Sequence, residues 1–449
     1  MALSLYDKDL QVIPEGIHWH RTAPPPPACE RIESDQSADV VIIGAGLTGL
    51  RTAITLTEAG VDTAVLDAKK IGFGSSGRSG GQCNPIWRAT PDDLRKKFGD
   101  AQAERLIQTT LTSADDLFAD IRRYNVDCEA EQNGWIQAAH TRNAADGLKR
   151  LHDAWAGVGA DITIRSRAET RAAVGSDAYD FSLHHSKGGF VQPMGLTRGY
   201  AKTAKAAGAR LYEETPAVKV ENTGSKWRIE TPLGSVTTDR VILTTNAYTD
   251  DLWPGLRQTM LPMYSISLAT APLTPEQQAT VLPGRKTISD TRLAIFYARY
   301  DADNRLIFGC VGSNDSARTL GGVGRLLNGL HTVFPQLKDI KIECTWAGRI
   351  GVTQDMMPRM FEPAPGVLAG VGFSGRGIAM TSVMGRSLAR KVLGGHNDDL
   401  PFPVSTIKPI PFHEVSRRMV PLMAPSLSMK DKAGVVWDRV KSGFSEKET

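Results

Sequence analysis

Apolar and polar positions between Asp39 and Asp67 predict a strand, a turn, a helix and a second strand. Val40-Val41-Ile42-Ile43 is a short β-branched run of the kind buried on both faces of a parallel sheet. Gly44-Ala45-Gly46-Leu47-Thr48-Gly49 interrupts it, a helix-like stretch follows, and the next apolar run ends at the acid Asp67. From Thr90 to Tyr124 the period becomes helical, with Leu94, Phe98, Leu106, Leu111, Leu117 and Ile121 at its apolar positions, so a second domain begins there. Further on, Gly134 to Ala139 and Asp161 to Ile164 read as strands around a helix from Ala144 to Val158. Another helix, Arg198 to Ala207, leads to a strand at Ala209 to Tyr212. The segments 217–220, 226–230 and 235–238 read as a small antiparallel meander, and Arg240 to Asn246 as a return to a buried parallel strand.

Aromatic and β-branched segments at 263–268, 294–300 and 305–309 predict a largely antiparallel sheet, suited to roof a ligand. A helix from Val323 to Val333 follows; then a strand from Gly366 feeds the turn Gly372-Phe373-Ser374-Gly375-Arg376-Gly377 and a helix through Lys391. The expected organisation is an N-terminal arm (1–37), a discontinuous nucleotide domain (38–90, 186–250 and 345–395), a substrate domain (91–185 and 251–344) and a Pro-rich tail (396–449) with a helical stretch near Val435 to Val440. The arm carries Pro24 to Pro27 and is expected to pack through Tyr6 and Trp19.

Composition narrows the function. Hydrophobic residues make up 41% and charged residues 23%, the proportions of a globular chain, and 449 residues are enough for two or three structural domains. The net charge is only +4 and no block of like charge stands out, so neither nucleic acid nor a membrane surface is an expected partner. No apolar run reaches the length of a membrane span, and the N-terminus lacks a secretory signal pattern; a cytoplasmic location is expected. Cys29, Cys83, Cys128, Cys310 and Cys344 are scattered singly, without the spacing of a metal site. The expected partner is a small molecule.

Three glycine turns carry the chemistry. In the first, Gly44 permits a tight turn, Gly46 lets the backbone approach a pyrophosphate, and Gly49 lets the helix pack close, while Asp67 can accept from a ribose diol. The second is Ile71-Gly-Phe-Gly-Ser75-Ser76-Gly-Arg78-Ser-Gly80-Gly81-Gln82. The third lies at a helix start, where free N–H groups and Arg376 can face the ring edge that becomes anionic when a flavin is reduced. A nicotinamide enzyme needs one such fingerprint; three, spread over residues 44 to 377, point to a flavin.

These turns, with Thr244 to Asp250 and Trp346 to Asp355, resemble the glycine and D-amino acid oxidase (DAO) family of FAD enzymes, most nearly its gamma-glutamylputrescine oxidoreductase-like branch. The resemblance implies an α/β fold. It comprises a Rossmann-like FAD domain of the p-hydroxybenzoate-hydroxylase/glutathione-reductase type and an α+β substrate domain on an antiparallel sheet. It implies FAD contacts from Gly44, Ala45, Gly46, Leu47, Thr48, Gly49 and Asp67, from Ser75, Ser76, Arg78, Gly81 and Gln82, from Val218 by its backbone, and from Gly348 and Phe373 to Gly377. In some relatives a cysteine stands at the Gly348 position and anchors the flavin, so FAD is expected to be non-covalent here, with Cys344 as the nearby thiol.

The implied reaction is oxidation of a C–N bond in an amine or amino acid, a gamma-glutamylated polyamine among the candidates. Hydride passes to flavin, the imine hydrolyses and oxygen reoxidises the cofactor. Transfer of electrons to a quinone or a partner protein, or flavin binding without catalysis, are the alternatives. Arg376 and Tyr297 are the expected catalytic residues. Trp87, Trp253, Tyr264, Phe296 and Arg299 are further candidates to face substrate, Lys286 and Arg292 could place positive charge for oxygen, and His184 and His185 are read as structural.

Overall fold

The computed structural model describes residues 16–318 and 321–445, with side chains to residue 438; Tyr6 lies outside them. Two sheets organise the molecule. The first runs Arg210–Tyr212, Thr63–Leu66, Gln36–Ile43, Gly234–Leu243, Val367–Val371, Arg359–Ala364 and Val404–Ser405, parallel except where Arg359–Ala364 reverses against Val367–Val371, and Gly234–Leu243 also carries the antiparallel pair Trp227–Thr231 and Lys219–Asn222. Its strands are apolar on both faces, as a doubly covered sheet requires. Val40, Ile42, Val65, Ile242 and Leu368 meet the helices Leu47–Glu58, Pro193–Ala206 and Gly377–Val392, whereas Val41, Ile43, Leu66, Val241 and Val367 pack beneath Trp227 and Ile229.

The second sheet runs Ile342–Val352, Leu261–Pro272, Arg305–Gly312, Tyr297–Tyr300, Thr287–Asp290, Trp135–Ala139, Phe181–His185 and Ile162–Arg165. All its pairings are antiparallel except Thr287–Asp290 with Trp135–Ala139. Alternation sets its two faces apart. Ile136, Ile266, Leu268, Ile288, Ala298 and Phe308 form an apolar layer under the helix Gly322–Val333. The registered neighbours Trp135, Gln137, Ser289, Tyr297, Ser267 and Ser265 share the opposite, more polar face.

Several elements differ from expectation for local physical reasons. The segment 90–124 is two helices, Pro91–Phe98 and Asp100–Arg123, because Gly99 takes φ +76° and a Thr90–Asp93 capping box starts the first. The third meander strand and the buried parallel strand are one continuous strand, Gly234–Leu243, which pairs with both neighbours. Residue 345, expected as a domain boundary, falls inside Ile342–Val352, a strand of the second sheet. The tail supplies the edge strand Val404–Ser405 to the first sheet and then the long helix His413–Ser445, which lies against the second. In the arm, Trp19 is fully buried and its indole N–H donates to Ser79 O at 2.9 Å.

Candidate active site

The strand Gln36–Ile43 leads into Gly44, whose φ of +110° turns the chain sharply into a helix. A methyl placed on Gly49 would lie 2.0 Å from Gly44 O, so only glycine lets that helix start so close to the strand. No N-cap side chain closes the helix; instead Leu47 N–H donates to Ser76 Oγ at 3.0 Å. At the end of the next strand, Asp67 accepts from Ala45 N–H (2.8 Å) through one oxygen and from Lys69 N–H (2.9 Å) through the other. Burial pushes its pKa up to about 6, against the pull of those two donors. Thr244 Oγ1 donates to Gly44 O at 2.9 Å and fixes the turn from the other side.

The second glycine loop ties the two sheets together. Ser75 Oγ donates to Arg349 O (2.6 Å), Arg78 donates to Phe73 O (2.7 Å) and Ala347 O (3.2 Å), and Trp346 returns a bond to Arg78 O (2.9 Å). Gly348 faces the Arg78 side chain, where an added Cβ would come within 3.0 Å. Gln82 Nε2 donates to Ile288 O at 2.8 Å, and Gly81 O accepts from Val191 N–H at 2.9 Å. The loop therefore sits beside the helix start at Ser76 and against the second sheet at Gln82.

The third turn is held by Asn246, whose Oδ1 accepts from Gly372 N–H at 2.8 Å, and by Ser374 N–H donating to Gly351 O at 3.0 Å. Phe373 is buried and the chain turns through Ser374 (φ +49°) and Gly375 (φ +85°) into the helix Gly377–Val392, again without a side-chain cap. Arg376 stacks its guanidinium 5.2 Å above Trp135, which stacks 4.3 Å from the buried His185 and donates to Ser289 Oγ at 2.9 Å. With Trp87, Arg88, Met356 and Ser374, Arg376 lines a cavity of about 210 Å³.

That cavity carries unbalanced positive charge. Burial and the neighbouring Arg88 push the Arg376 pKa down to about 9, which leaves it charged at neutral pH but short of an anion. The one acid in the wall, Asp355, is held by Arg359 and Lys97; these outweigh its burial and keep its pKa down to about 2. Tyr297 lies on the same side of the second sheet, its hydroxyl 2.8 Å from both Ser265 Oγ and Ser267 Oγ and its ring against Gly80.

Of the other candidates, Trp87 joins this cavity, whereas four are placed elsewhere and do not face it. Trp253 packs on Trp227 beneath the first sheet, Phe296 packs on Phe308 on the apolar side of the second, and Tyr264 lines a separate cavity with Arg349 and His413. Arg299 is a buried clamp, donating to Gly80 O, Val191 O and Tyr300 O at 2.7–2.9 Å. Arg292 is engaged by Asp290, so it offers no free charge, and Val218 N–H already donates to Glu230 O at 2.8 Å. His185 is stacked and fully buried, and its pKa is driven well below the ordinary value by burial and by Arg376. Trp135, Arg88 and the buried Gln137, whose Oε1 lacks a protein partner, were not singled out by sequence. The two-residue alternation of 135–139 was the available signal for Trp135 and Gln137.

All five cysteines are free. Cys344 accepts from Arg21 at 3.0 Å; Cys83, next to Gln82, is a second thiol beside the loop, buried and pushed up to about 12.

An adenine dinucleotide fits this donor set: a glycine turn too close for side chains, an acid at the adjoining strand end, and two helix starts whose N-cap residues make no side-chain cap. A family model described as FAD dependent oxidoreductase matches residues 39–391. Gamma-glutamylputrescine oxidoreductase of Escherichia coli K12 is 30% identical over 410 residues, 89% of this chain and 94% of that protein. The probable oxidoreductase OrdL of Haemophilus influenzae is 31% identical over 364 residues, 80% of this chain and 84% of that protein. Glycine oxidase from Geobacillus kaustophilus shares the fold with a TM-score of 0.68 at 21% identity, covering 80% of this chain and 96% of that one.

Proposed function

This chain belongs to the DAO family of FAD-dependent oxidoreductases, and from that premise we propose that it oxidises the C–N bond of an amine that also carries a carboxylate. Amino acids and gamma-glutamylated amines are the substrate classes that meet this description. The observation that carries the reading is Arg376: a guanidinium at the start of the late helix, stacked on Trp135 beside Arg88, with no acid paired to it among the described residues. A substrate carboxylate brought there regains the charge interaction that burial has cost the guanidinium.

When bound, FAD supplies the acceptor for the hydride that leaves the carbon beside nitrogen. Gly44 to Gly49, Asp67, Ser75, Ser76 and Arg78 would hold it, with Gln82, Gly348 and the Phe373–Gly377 turn nearest the ring; Val218 would contribute its carbonyl. Arg376 and Arg88 orient the carboxylate, Trp87 and Trp135 exclude water around the carbon chain, and Tyr297 with its two serines marks the polar side of the sheet. The oxidised product is an imine, which water converts to a carbonyl compound and free amine. Attachment of FAD is non-covalent in this reading, because Cys83 is buried with a raised pKa and Cys344 is engaged by Arg21.

Anaerobic bleaching of the bound flavin tests the proposal. Amines with a carboxylate should bleach it, and the same amines with that carboxylate amidated should do so far more slowly. Equal rates for the two sets would sink the substrate class, and bleaching by no amine would sink the activity. Oxygen as acceptor predicts amine-dependent hydrogen peroxide.

A further inference from the structure

The helix His413–Ser445 sorts its residues into two faces. Inward, His413, Val420, Ala424 and Asp431 are buried; His413 Nε2–H donates to Met260 O at 2.9 Å, and Asp431 accepts from Leu293 N–H and Ala294 N–H, each at 2.9 Å. Outward, Val415, Met419, Leu422, Met429, Val436 and Trp437 are each more than half exposed. Their spacing of four and three, with Ser426 and Ala433 at the intervening places, puts them in one stripe along the helix opposite the buried face. So long an exposed apolar stripe on a helix that already has a buried face marks an interaction surface.

Charge on the helix follows the same division. Between residues 413 and 438 the acids are Glu414, Asp431 and Asp438, and all are engaged: Glu414 by Arg257 (3.2 Å) and Arg417 (3.6 Å), Asp431 by the two backbone donors, and Asp438 by Arg142 N–H (2.9 Å). Arg418, Lys430 and Lys432 are exposed beside the stripe and form no ion pair among the described residues. A second copy of this face would bring cations against cations, with no free acid among its described residues to receive them. An apolar face flanked by unpaired Lys and Arg is instead complementary to an anionic bilayer surface, where the helix lies in the headgroup plane. No helix among the described residues is long and apolar enough to cross a membrane.

We propose that the outward face of this helix docks the enzyme on an anionic lipid membrane. The test is co-flotation of the full-length holoenzyme with vesicles of phosphatidylcholine alone or mixed with phosphatidylglycerol. Binding to the mixed vesicles, weakened by salt and absent with neutral ones, is the expected result. Leu422→Glu/Met429→Glu should abolish it while keeping the bound flavin and the melting temperature of the parent. Lys430→Glu/Lys432→Glu should weaken it by more than roughly fivefold per site, the worth of one cation at such a surface. No binding to the mixed vesicles overturns the proposal, as does equal binding to both lipids. A concentration-dependent dimer broken by Leu422→Glu/Met429→Glu, without vesicle binding, would identify the face as a contact between copies instead.

Discussion

The two ends of the candidate site are built by different means. At the Asp67 end, the geometry is backbone: a glycine turn, a helix start and a carboxylate within 3 Å of two N–H groups, all inside 29 consecutive residues. At the Arg376 end it is side chains: Arg376, at the start of the helix Gly377–Val392, stacks on Trp135 from the second sheet, while Trp87 and Arg88 come from the segment that follows the second glycine loop. A backbone cradle binds what every member of a cofactor class shares, whereas a side-chain pocket can change its preference one residue at a time. Substitutions at the first end should therefore act on cofactor retention, and those at the second on substrate choice.

The largest effect is expected from Gly49→Ala. Its methyl would lie 2.0 Å from Gly44 O, a backbone atom that has no rotamer to move it aside. The protein should purify without flavin, as read by the ratio of visible to ultraviolet absorbance; a variant with a full complement of FAD would break the assignment of that turn. Next is Arg376→Ala, which should lower kcat/KM for carboxylate-bearing amines by about tenfold to hundredfold, the worth of a charge-assisted hydrogen bond. FAD content should stay near that of the parent. Arg376→Lys should recover little, because a point charge does not reproduce a stacked planar fork. An equal fall for amidated substrates would move Arg376 from substrate recognition to the cofactor.

Sequence made the first end legible and left most of the second hidden, for the same physical reason. Strand, turn, helix and acid are consecutive, so the spacing from Gly44 to Asp67 already encodes their contacts. Nothing in Trp135 or Arg88 announces that they meet Arg376, more than two hundred residues away, since that meeting depends on how two sheets are joined. Phe296 and Tyr297 illustrate the limit more sharply: adjacent in sequence and similar in kind, they point to opposite faces, and only the pairing of Tyr297 with Gly309 and Ser289 settles which one shares the polar face of the second sheet. Charge on residues 413–438 shows the same limit: Asp431 and Asp438 accept from backbone N–H groups of the body while Arg418, Lys430 and Lys432 stay exposed, a division that only the fold sets.

Asp67→Ala sharpens the comparison at intermediate size, because it removes a side chain from the backbone-built end. Loss of hydrogen bonds from a ribose diol to a carboxylate should weaken FAD binding by about tenfold or more. The wild-type protein should mimic part of this loss in acid. Burial raises the pKa to about 6, and the diol is bound best by the ionised form, so affinity is full above that value and declines as pH falls through it. Titration of apoprotein with FAD on either side of pH ~6 checks this; a flat profile in the wild type, or a pH dependence retained in Asp67→Ala, would remove Asp67 from the cofactor.

Tyr297→Phe should have the smallest effect, and its sign discriminates. The hydroxyl stands 2.8 Å from two serine oxygens, so it can donate to one and accept from the other without any ligand. If its role is only to hold the polar face of the sheet, deletion costs stability of ~1 kcal/mol and leaves kcat/KM within a few-fold of the parent. If a substrate amine displaces one serine and bonds to the phenol, KM should rise while FAD content and the rate at saturating substrate stay constant. A fall in kcat alone would fit neither role and would place the phenol at the reacting carbon. Ser265→Ala and Ser267→Ala complete the measurement, because each frees one side of the hydroxyl: in the structural role they repeat the stability loss, and in the binding role they lower KM by removing a competitor.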